Sequence, residues 1–371
     1  MKLSSKTLGW LLPIIMFGII LMMWNVKTPI VTDEYCFYKL SLNFPDYHGT
    51  ADWFLKDRPS MLNNSINWNK EEQAQAFHTI YDSQLYPHVP LMPMIFSPLV
   101  KGLNYLADRN VIPHLESEAG LDAPLESQKA ETITIILRTL SIITLLVSMY
   151  LIFRLLYEKI GKIAYFFPVP LAASYQLLFG AFLFYWDVFM IFFFVLTLYL
   201  MERKSKWAYL TACLMVNTKM FVALVFLIPL MFKNWKMVFA GLAIAPWFLV
   251  SWVVTGNLFY FFAHYFGVVD EHNYIAQLYN FKDWLLILIG LGMPFFVIMT
   301  FPIFRWIKKY PEYVALLIIC LIYAYNGGLA LTHMSSLLYA GCLVFPIVAY
   351  EFKLDEKLSR WIGSKKVKEA M

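Results

Sequence analysis

The sequence predicts an all-helical integral membrane protein with about ten transmembrane helices. Three observations carry this: a 60% hydrophobic composition, apolar runs of membrane-spanning length recurring along the chain, and basic residues gathered in short clusters between those runs. Of 371 residues only 15% are charged, against roughly 25% in an average soluble domain. With 32 Phe, 23 Tyr and 12 Trp, the apolar surface exceeds what one soluble core could hide. A soluble monomer is excluded. The net charge of +5 would suit a nucleic-acid partner only if the basic residues shared one surface, which their scattering rules out. Cys36, Cys213, Cys320 and Cys342 lie far apart, so neither a disulfide framework nor a CxxC metal site is readable.

A span needs about 20 apolar residues to cross ~30 Å of hydrocarbon. The first such run, 8–26, follows Lys2 and Lys6 and lacks a small-x-small cleavage site, so it reads as a retained helix rather than a secretion signal. Runs near 133–156, 162–180, 182–201, 237–254, 284–304, 312–331 and 335–350 follow. Orientation comes from Lys and Arg, which accumulate in cytoplasmic loops. Lys2 and Lys6, Arg154 to Lys162, Arg203 to Lys206, Lys233 with Lys236, Arg305 to Lys309 and the tail all belong inside. The segment 206–232 then begins and ends inside, which predicts a short helical hairpin of two arms, 206–217 and 220–232, tipped by Asn217-Thr218-Lys219. The proline-broken run from His88 to Leu106 cannot also span and is expected in the outer interface.

Both termini are thus expected in the cytoplasm of a plasma or inner membrane. Inner segments hold 19 basic and 7 acidic residues, outer ones 11 and 18, the asymmetry this topology requires. The chain divides into a first helix (1–26), an outer loop with interfacial helices (27–132), a bundle (133–350) with a second outer loop near 255–283, and a basic tail (351–371).

Chemistry is therefore expected on the outer face. The first loop opens with Thr32-Asp33-Glu34-Tyr35, two adjacent carboxylates among aromatics that would desolvate them toward general-base behaviour; ordinary solvated loop charges are the alternative. Tyr81, Asp82, Tyr86 and His88 fall in a proline-rich stretch suited to a ligand-facing turn, or simply to a structured loop. Ionisable side chains within spans are costly and become site candidates by default. They are Arg138 in Leu137-Arg138-Thr139-Leu140-Ser141, Asp187 after Tyr185-Trp186, and Lys219 at the hairpin tip. All three are expected in the outer leaflet, level with Asp33 and Glu34. A mutual Arg138–Asp187 ion pair, or snorkelling, is the structural alternative for those two. His333 joins the same surface, while His264 and His272 match no trusted metal spacing. No GxxxxGK[ST], GxSxG, HExxH or GxGxxG occurs, so nucleotide hydrolysis, triad hydrolysis and zinc proteolysis lack support.

The order of these features resembles the membrane glycosyltransferases of the GT-C fold, in particular the protein-O-mannosyltransferase and aminoarabinose-transferase relatives. The resemblance rests on the Asp33-Glu34 pair, Tyr86-Pro87-His88-Val89-Pro90-Leu91, Arg138-Thr139-Leu140-Ser141, Tyr185-Trp186-Asp187, Glu202-Arg203-Lys204 and Thr218-Lys219. It covers roughly residues 8–235, and the motifs are short and degenerate. It implies sugar transfer from a polyprenyl phosphate to an outward-facing acceptor. Asp33 would be the base with Glu34 in support, Lys219 and Arg138 would hold the lipid phosphate, and Tyr35, Tyr81, Asp82, Tyr86, His88, Asp187 and His333 would meet substrates. The chain departs from the family in lacking a large soluble domain after its helices. A divalent cation, Mg or Mn, at the carboxylate pair is the one cofactor left open, and the metal-ligand set is otherwise empty. The partners implied are the lipid-linked sugar, a lipid, glycan or protein acceptor, and membrane lipids. The competing reading is a transporter or flippase for a lipid-linked or small polar substrate, and a third is a non-catalytic membrane subunit. A transporter would place ionisable residues at several depths, including the midplane.

Overall fold

The computed structural model describes residues 32–44, 91–115, 132–167, 184, 186–255, 258, 308–326 and 331–353. Every described element is helical, and no strand occurs among the described residues. The expected first helix at 8–26 and most of the second outer loop lie outside them.

The first described helix, α1 (Thr32–Asn43), lies where the outer loop with interfacial helices was expected to open. Its buried residues Glu34, Phe37, Tyr38 and Ser41 recur at the 3–4-residue spacing of one helical face. Asp33 and Glu34 fall in its first turn, where acidic residues favour the exposed N–H groups. Helix α2 (Leu91–Asp108) buries Met92, Phe96, Val100, Leu103 and Ala107 on one stripe. Its other side exposes Met94, Ile95, Leu99 and Tyr105, in keeping with a helix lying at an apolar boundary. It stops at Asn110, whose φ of 57° lets its N–H reach Ala107 O (2.8 Å) while Val111 N–H reaches Leu106 O (3.0 Å). Tyr38 donates from its hydroxyl to Asn104 Oδ1, and Lys101 Nζ to Phe44 O, tying α1 to α2.

Helix α3 (Thr132–Ile160) is 29 residues long, ~44 Å, and continues as a 3-10 segment, Gly161–Phe166. Together Thr132–Tyr165 is the one stretch among the described residues long and apolar enough to cross a membrane. Helix α4 (Trp186–Glu202) packs along α3 and ends at Lys204, whose φ of 53° closes the turn. Helix α5 (Trp207–Val216) runs back along α4, and α6 (Met220–Val225) with α7 (Leu227–Lys233) returns. This is the expected hairpin, and its pairings show the return: Lys219 meets Asp187 at the start of α4, whereas Lys233 meets Glu202 at its end. A 3-10 segment, Trp235–Ile244, and α8 (Ala245–Thr255) ascend again. The 3-10 rise of ~2.0 Å per residue lets ten residues cover ~20 Å. Gly241 faces α6 and α7 there, where a Cβ would make ordinary contact with Leu224 Cδ2 at 3.4 Å and Leu227 Cδ1 at 3.5 Å. Helices α9 (Pro311–Asn326) and α10 (Leu331–Glu351) pack on each other and complete the described bundle.

Two hydrophobic clusters follow. The larger joins α3, α4, α5, α7, α9 and α10; the smaller joins α1, α2 and the first turns of α3 and α4. In the smaller one Phe37 stacks on Trp186 with centroids 4.3 Å apart, and Phe96 meets Phe184 and Phe189 at 5.0 and 4.9 Å.

The basic end of the bundle is laced by charge. Lys159 Nζ lies 2.6 Å from Glu202 and 3.8 Å from Glu312, Lys233 also pairs with Glu202, and Arg203 with Glu158 at 2.6 Å. Lys309 and the Tyr310 hydroxyl both donate to Glu351. Burial disfavours the charged Glu202 carboxylate, but hydrogen bonds from Lys159 and Lys233 and their charges outweigh it and hold its pKa below the ordinary 4.5.

Candidate functional site at the opposite end of the bundle

Glu34 and Arg138, 104 residues apart, meet in a bidentate ion pair: Arg138 Nε donates to Oε1 at 2.9 Å and Nη2 to Oε2 at 2.5 Å. The Phe184 backbone N–H adds a third bond to Oε1 at 2.8 Å. Both side chains are only 1% exposed. A planar guanidinium facing a carboxylate in this way forms strong charge-assisted bonds, and three donors on two oxygens offset the cost of burial. The pair joins α1 to α3 and anchors the segment leading into α4. On the Arg138 face of α3, Thr134 and Ser141 are buried one turn away on either side, with hydroxyls that have no hydrogen-bond partner among the described residues.

Asp187 and Lys219 form the second pair, with Nζ 3.1 Å from Oδ1 and 2.9 Å from Oδ2. Asp187 is 1% exposed and Lys219 12%, so the ammonium is the more open of the two. The turn bearing Lys219 is clamped by Asn217, whose Nδ2 donates to Cys213 O and Ala243 O while its Oδ1 accepts from Trp247 Nε1 at 2.8 Å. Thr218 donates back to Leu214 O. Lys219 therefore stands on a rigid turn between α5, α6 and the 3-10 segment.

The two pairs differ in depth. Arg138 and Lys159 are 21 residues apart on α3, ~32 Å. Asp187 is only 15 residues from Glu202, which pairs with Lys159, so it lies ~22 Å from the basic end. By helix rise the two pairs are offset from each other by about one to two turns along the bundle. The expected Arg138–Asp187 alternative is replaced, because each residue takes a different partner. Between these pairs and the basic end, α3, α4, α5, α6 and most of α7 carry no Asp, Glu, Lys, Arg or His up to Arg154, Glu202 and Lys233. The Thr197–Thr211 hydroxyl bond of 2.8 Å is the polar contact in that interval between α4 and α5.

Four candidates, Glu34, Arg138, Asp187 and Lys219, thus converge from four parts of the chain. Asp33 and Tyr35 lie in α1 and His333 in α10, with side chains outside the description; Tyr81, Asp82, Tyr86 and His88 are outside the described residues altogether. Phe184 and Trp247 support the site and were not singled out by sequence, and Asn217 was named only as part of the hairpin tip. Of these only Asn217, a helix-ending residue at the hairpin tip, carried a local signal.

Among the described residues no group of three or more His, Cys, Asp and Glu could hold a metal ion. The donor chemistry agrees at the described carboxylates: Glu34 already faces a guanidinium and Asp187 an ammonium, a poor setting for a further cation. No protein-family model, curated protein or solved structure matches this chain.

Proposed function

We propose that the protein is a membrane glycosyltransferase of GT-C type, with about ten crossings and both termini on the cytoplasmic side. It transfers a sugar from a polyprenyl phosphate to an acceptor hydroxyl at the outer face. The observation that carries this reading is the convergence of an acidic first-loop helix, Arg138, Asp187 and Lys219 at the end of the bundle opposite the basic clusters. The interval along α3 to α7 without Asp, Glu, Lys, Arg or His favours it over a transport path, which would need charged groups near the midplane.

A lipid-phosphate sugar already carries its leaving group. Transfer needs a base for the acceptor and positive charge for the departing phosphate. The acceptor oxygen bonds to the anomeric carbon as its proton passes to Asp33, and the carbon–oxygen bond to phosphate breaks with its electrons onto the polyprenyl phosphate. Lys219, more open than its partner, meets that charge, while Asp187 holds the ammonium in place. The Glu34–Arg138 pair is a positioning element: it seats α1, and position 33 lies about 100° around the helix from Glu34.

The test is Asp33→Asn in purified protein, with release of polyprenyl phosphate from a panel of lipid-phosphate sugars as the readout. A positioned base typically contributes 10²–10⁴-fold, so turnover should fall at least about a hundredfold with donor binding retained. Unchanged turnover refutes the role of Asp33. If no donor in the panel is consumed by the wild type, the transporter reading takes precedence.

A further inference from the structure

At the basic end of the bundle a cavity of about 400 Å³ opens between the α4–α5 turn and the end of α7. It is lined by Lys204, Lys206 and Lys233 together with Ser205, Tyr209 and Asn234. Lys233 is committed to Glu202. Lys204 and Lys206 are exposed and have no carboxylate partner among the described residues, so two lysines not committed to an acid line one small cavity. Its wall is fixed: Asn234 Nδ2 donates to the Tyr209 hydroxyl at 3.1 Å, and Lys204 stands in the left-handed turn held by Ser205 N–H to Leu200 O.

What surrounds the cavity identifies its occupant. Trp207 and Trp235, next in sequence to lining residues, are 66% and 63% exposed. Leu210, Phe239 and Leu242 continue that exposed apolar surface along α5 and the 3-10 segment. Amphipathic Trp rings beside lysines, above an apolar belt, mark the level where acyl chains give way to headgroups. A free anion would leave that belt unused, whereas a lipid engages both parts. We infer that this cavity binds the phosphate of an anionic phospholipid headgroup, with the acyl chains along α5 and Trp235–Ile244.

The full chain is reconstituted in phosphatidylcholine nanodiscs, and phosphatidylglycerol binding is titrated by native mass spectrometry. Near a surface each lysine contributes roughly fivefold, so Lys204→Gln with Lys206→Gln should weaken binding about 25-fold. Lys204→Arg with Lys206→Arg should retain it, as should Lys308→Gln with Lys309→Gln, which removes the same charge elsewhere on that face. Equal weakening by the 308/309 pair would reduce the effect to net charge and overturn the site. Wild-type affinity in the 204/206 glutamine variant also overturns it. If inorganic phosphate at equal concentration displaces the lipid, the site is one for free phosphate and the assignment to lipid fails. Should the glutamine pair not fold, Lys206→Gln alone serves, with about fivefold weakening expected and none overturning the site.

Discussion

Removing either partner of the Glu34–Arg138 pair should be among the most damaging single changes in the molecule, and removing both should cost much less. Arg138 makes two charge-assisted bonds to Glu34, and the Phe184 N–H a third. Such bonds contribute about 1.5–3 kcal/mol each before desolvation. At 1% exposure, neither charge has water to fall back on. Glu34→Gln or Arg138→Met should therefore each cost about 3–5 kcal/mol, since each strands a buried partner. The double variant leaves no uncompensated charge. Its cost should lie at least about 2 kcal/mol below the sum of the singles, within the range for residues sharing one network. The assay is a double-mutant cycle on reversible unfolding in mixed detergent micelles, with transfer activity measured in parallel. Strictly additive costs, or singles costing under about 1 kcal/mol, would refute the claim that this pair seats α1.

Lys219→Met should destabilise by about 3–5 kcal/mol by stranding Asp187; adding Asp187→Asn should restore stability but not donor binding, measured by titration with a polyprenyl-phosphate sugar. If the double variant binds donor normally, Lys219 is structural only. Glu202 has a folded pKa lowered from the ordinary 4.5, so its contribution is complete above that value and is lost as pH falls through the lower folded value. Unfolding midpoints should thus decline on acidification below about pH 4.5, and Glu202→Gln should flatten that part of the profile. Gly161 has φ +61° with nothing within 4 Å of a Cβ, so Gly161→Ala should cost about 1–2 kcal/mol from backbone strain alone, read by the same unfolding assay.

Composition and the recurring apolar runs were enough to expect the helical class that every described element shows, since a chain placed in lipid would have to satisfy its backbone with local bonds. The return between 206 and 232 was legible for a related reason: the expectation that Arg203 to Lys206 and Lys233 with Lys236 share a side requires the arms between them to turn back, and α5 to α7 do so. The helix at 32–43 was legible too, in the spacing of Glu34, Phe37, Tyr38 and Ser41, a period that attention to the adjacent carboxylates passed over. Which charge meets which was decided only by the tertiary structure. Arg138 could be matched with Asp187 from its depth in the sequence, yet α1 brings Glu34 to it across 104 residues, and the stagger of α3 against α4 sets Asp187 beside Lys219 instead. Local pattern places a residue along its own helix. The offset between neighbouring helices comes from packing contacts such as Phe37 on Trp186 and Phe96 on Phe184, whose sequence separation leaves no periodic signal to read.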